Sequence, residues 1–113
     1  MPKRSVELYL DDIRECIERI EEYTRGHDRE AFFASAQLID AVVRRMEIIG
    51  EAAHQLPEEF RVQHPEIPWG HMIGMRNKVT HEYFGVDEAI LWQTIQEDIP
   101  KLRGQLQKFF NGR

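Results

Sequence analysis

Apolar residues recur at Val6, Leu10, Ile13, Ile17 and Ile20, a spacing that predicts a helix with one buried face. Ser5 stands ready to cap it and Gly26 to end it. Asp28 caps a second predicted helix running to about Leu56. Its apolar positions are Phe32, Ala36, Ile39, Val43, Met46 and Ala53, flanked by Leu38, Val42 and Ile49. So broad a face suits a central helix with neighbours on more than one side. Pro57 closes it. Residues 57–67, broken by Pro57 and Pro65, read as a short helical turn and a loop. Pro68 suits the first turn of a third helix, where its missing N–H costs nothing. There the apolar stripe runs through Trp69, Met72, Ile73 and Val79, with Tyr83 continuing the series. Asp87 caps a fourth segment, and Leu91, Ile95, Ile99, Leu102, Leu106 and Phe109 carry the helical period to the end. Pro100 should kink that run or split it. No run alternates with the period of a strand. The pattern predicts an all-α chain: one domain spanning 1–113, folded as an antiparallel bundle of four to five helices.

Composition narrows the class. The chain has 113 residues, enough for one core, with 42% hydrophobic and 31% charged residues, as expected of a globular protein in water. No apolar run approaches the roughly 20 residues of a membrane span. Met1-Pro2-Lys3-Arg4 leads into no hydrophobic signal region. Cys16 is the single cysteine and falls at a core spacing, so it reads as a small buried residue in a reducing compartment. The expected location is the cytoplasm. The net charge of −5 argues against non-specific binding of long duplexes, which takes a strong positive field. Arg44-Arg45 and Arg76 with Lys78 remain as local basic clusters for a short single-stranded substrate.

The chemistry concentrates in Arg76-Asn77-Lys78-Val79-Thr80-His81-Glu82-Tyr83. Arginine offers a planar fork of donors matched to phosphate oxygens. Histidine, with an unperturbed pKa of about 6.5, takes and returns a proton at cellular pH. Tyrosine adds a hydroxyl that can hydrogen-bond or be modified. Together they can handle a phosphodiester without a metal. Arg76 falls on the apolar stripe, where a charge must be paired or placed at a cleft. A structural ion pair with a neighbouring helix explains it as well as a functional cleft does. His81 alone reads as a helix-end histidine favoured by the dipole. Residues five apart on a helix are about 140° apart around the axis. Arg76 and His81 therefore converge only if the helix ends near His81, with Gly85 as its terminator, or if the arginine stem reaches across.

Other signals are weaker. Glu51-Ala52-Ala53-His54 has the Glu-x-x-His spacing of di-iron bundles, but those need two copies and further carboxylates. His27, His54, His64 and His71 form no other ligand spacing, so no metal and no cofactor is expected. Trp69, Trp92, Phe109 and Phe110 read as core or dimer contacts. Gly50 and Gly74 each weaken a helix, which close helix packing or, for Gly74, space beside the motif would explain.

With these residues in view, the chain resembles the HEPN superfamily, specifically the HepT-like ribonuclease toxins. Members are small helical bundles with an Arg-x4–6-His-x-Tyr motif, matched here by Arg76, His81 and Tyr83, with Asn77 at the polar position after the arginine. Ile48-Ile49-Gly50-Glu51-Ala52 and Ile67-Pro68-Trp69 extend the likeness over nearly the whole chain. The resemblance implies a homodimer joining two motifs in one cleft, or a higher hetero-oligomer with its antitoxin. It also implies metal-independent cleavage of single-stranded RNA by attack of the ribose 2′-hydroxyl. In that scheme His81 is the general acid/base, the two copies dividing the roles. Arg76 stabilises phosphoryl charge, and Asn77 orients a catalytic group or the phosphate. Glu51 is a candidate supporting residue, or else a structural partner for Arg76. The implied partner is a nucleotidyltransferase antitoxin that transfers AMP onto Tyr83. The alternatives are a non-catalytic nucleotide- or partner-binding HEPN module associated with a nucleotidyltransferase, and a purely structural dimerisation domain.

Overall fold

The computed structural model describes residues 4–81 and 85–110, and of His81 the main chain alone. Helix α1 (Val6–Thr24) starts where Ser5 accepts a hydrogen bond from the Leu8 amide. It ends at Thr24, two residues before Gly26, whose φ of 80° is the left-handed conformation that glycine adopts freely. Its buried face is Leu10, Ile13, Cys16, Ile17 and Ile20, which lies along α3 (Ala36–Gln55).

The expected second helix is two. Asp28 caps α2 (Arg29–Phe33), and Ser35 then caps α3 through the Leu38 amide. The break leaves Ala36 exposed, while Val42, Met46, Ile49, Gly50, Ala52 and Ala53 form the buried side of α3. Phe32 is fully buried and, with Phe33, packs on Trp92.

After Leu56 comes α4 (Glu58–Gln63), then a turn closed by the Trp69 indole donating to the His64 carbonyl at 3.0 Å. Pro68 stands just ahead of the next helix rather than in its first turn. That helix is divided at Gly74 into α5 (Trp69–Ile73) and α6 (Met75–Val79). Both lie against α3. Gly50 makes this possible: a Cβ there would sit 3.0 Å from the carbonyl oxygens of Met72 and Ile73. Close packing within the chain is thus what Gly50 provides, whereas a Cβ at Gly74 would meet only ordinary contact at 3.5 Å.

Helix α6 stops at Val79, and a two-residue strand β1 (Thr80–His81) pairs antiparallel with β2 (Gly85–Val86). Two residues are too few to carry a strand period, so no alternation marks this pair along the chain. Gly85 has a φ of 77° and faces His81 across this ladder, so it serves the strand pair and is no helix terminator.

Asp87 caps α7 (Glu88–Gln93) through the Ile90 amide. The run stays helical past Pro100 by widening, with a π-helical turn over Thr94–Asp98 before α8 (Ile99–Phe110). Proline cannot donate to the preceding turn. A π turn is a usual way for a helix to absorb such a defect. The all-α bundle stands, with the C-terminal run neither broken nor in two pieces. Among the described residues no helix is long and apolar enough to cross a membrane.

Candidate functional site

The buried stripe of α5 and α6 is Trp69, Met72, Met75 and Val79. Met75, not Arg76, holds the core position. Arg76 is the next residue round and its side chain is 50% exposed, which corrects the expectation of a charge on the apolar stripe. The Gly74 break explains the change of phase. The guanidinium is open to solvent on one side, where a ligand can reach it.

Arg76 stands at one end of an open groove of 320 Å³ between α3 and the α5–α6 pair, lined also by Asn77, Ile73, Glu47, Glu51 and His54. Its Nη1 donates to Asn77 Oδ1 at 3.2 Å, so the two candidate phosphate-binding groups act as one unit. Its Nε lies 3.7 Å from Glu47 Oε2. Glu47 is also paired with Arg44, so it is not committed to Arg76. The sequence offered Glu51 as the supporting carboxylate; Glu51 lines the groove, but Glu47, a turn earlier, is the arginine's neighbour. Glu47 was legible as i−4 from Glu51 on one helix face, yet nothing in the sequence fixed the register of α6 on α3.

The helix end is held by main chain and by Thr80. Its hydroxyl donates to the Arg76 carbonyl at 3.0 Å, and the Asp87 amide donates to the Val79 carbonyl at 2.8 Å. His81 follows in the extended conformation, so the 140° separation of an unbroken helix does not apply between it and Arg76. The His81 side chain and Tyr83 lie outside the described residues. Lys78, on the far side of α6, donates to Asp98 Oδ2 at 3.1 Å, and His71 Nε2 lies 3.6 Å from the same oxygen.

Glu51 and His54 are both exposed, and among the described residues no group of three His, Cys, Asp or Glu side chains comes together to hold a metal. Cys16 is on the buried face of α1, and burial pushes its thiol up against the opposing pull of Arg45. Trp69 and Trp92 pack inward, and Phe109 stacks with Phe60 and His64. The groove thus holds the Arg76 fork, the Asn77 amide and the His54 imidazole, the equipment for an anion flanked by a hydrogen-bonding ligand.

The family model described as "Ribonuclease HepT-like" matches residues 13–109. A Thermococcus cleftensis protein named "Probable ribonuclease HepT" is 51% identical over 94% of this chain and 96% of its own. A Methanocaldococcus jannaschii protein named provisionally as an RNase is 38% identical, over 95% of this chain and 98% of its own. One from Caldanaerobacter subterraneus, named in the same way, is 44% identical over 88% and 89%. No solved structure matches. The chain belongs to the HepT-like ribonuclease family, within the nuclease class of enzymes.

Proposed function

We propose that the protein is a metal-independent endoribonuclease toxin of the cytoplasm that cleaves single-stranded RNA, with Arg76, Asn77 and His81 as its working residues. The observation that carries this reading is the exposed Arg76–Asn77 pair at the mouth of an open groove, on a helix ending two residues before His81. Attack of a ribose 2′-hydroxyl on the adjacent phosphate needs a proton taken from that hydroxyl and one given to the leaving 5′-oxygen. His81 serves this transfer, and a second protomer brings a second His81 so that base and acid can be separate groups. Arg76 meets the charge that grows on the phosphoryl oxygens, where a preorganised donor contributes most. Asn77, already bonded to the guanidinium, holds the phosphate or the fork in position.

In this reading a nucleotidyltransferase antitoxin silences the enzyme by placing AMP on Tyr83, two residues from His81. The added phosphate is drawn to Arg76 and excludes RNA. The alternative of a nucleotide-binding module draws support from the net charge of −5 and from Glu47 beside Arg76. One experiment separates the two: intact mass and RNA cleavage on the same sample, with chelator present, beside Arg76→Ala and His81→Ala. Cleavage lost in both variants supports the ribonuclease. No cleavage at unmodified mass favours the binding module. Mass raised by AMP on inactive protein, absent from Tyr83→Phe, supports the switch.

A further inference from the structure

The wall of the groove formed by α3 has a polarity along its length. Glu47, Gly50, Glu51 and His54 follow one another at i, i+3, i+4 and i+7, one face of the helix, with Gln55 beside them. The guanidinium of Arg76 sits at the Glu47 end. His54 and Gln55 lie seven and eight residues further on, about 10–12 Å along the axis at 1.5 Å per residue. That is the span from a phosphate to the far edge of its own base. The floor between is the half-buried Ile73 and the main-chain contact at Gly50, an apolar surface on which a sugar or a base face can lie.

We infer that this groove is a single-nucleotide subsite, with phosphate at Arg76 and Asn77 and base at Glu51, His54 and Gln55, and that it prefers bases bearing an exocyclic amino group to uracil. The inference deepens the ribonuclease reading and rests on it for the identity of the ligand as RNA. Charge sets the direction. The Glu51 carboxylate, inward of Arg76 on α3, repels a second phosphate, so the backbone leaves at the Arg76 end and the base lies inward. Chemistry sets the preference. Glu51 is an acceptor only, and the Gln55 amide offers one more acceptor with its donors. Adenine, cytosine and guanine present an amino group to such acceptors. Uracil presents two carbonyl oxygens around a single N–H, so it offers Glu51 one donor flanked by acceptors where an amino group offers two hydrogens. The imidazole of His54 supplies a ring face for stacking, as is usual where an unpaired base is held.

The test is an NMR titration of the protein with each of the four nucleoside 3′-monophosphates, alongside Glu51→Gln, Gln55→Ala and Arg76→Ala. Glu51 and Gln55 are exposed, so their replacement leaves the core untouched. Wild type should bind the three amino-bearing nucleotides roughly 5- to 100-fold more tightly than uridine monophosphate, the range for a good base contact. Glu51→Gln should collapse that ratio, and Arg76→Ala should weaken all four alike. Equal affinity for all four in wild type overturns the subsite. So does a ratio that survives both Glu51→Gln and Gln55→Ala. RNA cleavage by the same samples reads the other question separately. Discrimination in binding without cleavage, on protein of unmodified mass, leaves the subsite standing and removes the ribonuclease reading, and cleavage without discrimination does the reverse.

Discussion

Lys78, two residues after Arg76, donates a 3.1 Å hydrogen bond to Asp98, twenty residues further along the chain at the end of the π turn. His71 of α5 approaches the same carboxylate oxygen at 3.6 Å. One acceptor on the C-terminal run therefore gathers both halves of the helix that carries the motif. Lys78 is turned to this task rather than to the groove.

Because the pair is partly exposed, its coupling should be small. A double-mutant cycle with Lys78→Ala and Asp98→Ala should give about 0.2–1 kcal/mol, shrinking as salt is raised. Denaturant melts at two ionic strengths check it. A coupling of zero at low salt would mean that packing alone holds α6.

Gly50→Ala and Gly104→Ala should change stability in opposite directions. At Gly50 the new methyl meets two backbone oxygens at 3.0 Å, and neither can swing aside. Overpacking there should cost about 1–3 kcal/mol, outweighing the gain in helix propensity. Gly104 is inside α8 with nothing within 4 Å of a Cβ, so alanine should add about 0.5–1 kcal/mol. Urea unfolding of the two variants beside wild type decides it.

Arg76→Lys keeps the charge and loses the fork. If Arg76 meets the phosphoryl oxygens through paired donors, cleavage by the lysine variant should fall by roughly 10²-fold with little change in melting temperature. Activity close to wild type would reduce Arg76 to a point charge. The bond from Nη1 to Asn77 would then have no catalytic meaning.

Cys16 gives a pH prediction. Burial holds its thiol neutral in the folded chain to higher pH than in the unfolded one. Above the unfolded thiol's pKa of about 8.5 the unfolded state loses its proton first, so the folded state binds more protons and stability falls as pH rises. Cys16→Ala should be less stable at pH 7 for lack of packing, yet lose less between pH 8 and 10. Thermal melts across that range check the slopes. Parallel slopes would assign the alkaline loss to other groups.

Much of the fold could be read in the chain because the signals were local and repeated. Ser5, Asp28 and Asp87 cap helices as their positions promised, and the α1 stripe is buried from Leu10 on, with Val6 half-buried at its start. The misses share a cause. Ser35 reads as the interior of a long helix because Phe32 and Val42 keep a helical rhythm across the break, whereas its side chain caps α3 and Phe32 packs on Trp92. Arg76 was placed on the apolar stripe by counting through Gly74, where the helix changes phase. Glu47 was missed as the arginine's neighbour since the register between two helices is set by side-chain fit, here by the absence of one at Gly50.

The π turn at Thr94–Asp98 has a consequence for how this chain can vary in length. In an ordinary helix, deleting one residue swings everything downstream by about 100° and exposes the buried side. Here the C-terminal run already holds one residue more than an α-helix needs. A deletion within the turn could close it to regular geometry and leave Ile99, Leu102 and Leu106 facing inward. Removing Asp98 itself would take away the shared anchor of Lys78 and His71. Length change at that point would thus spare the core and loosen the motif helix.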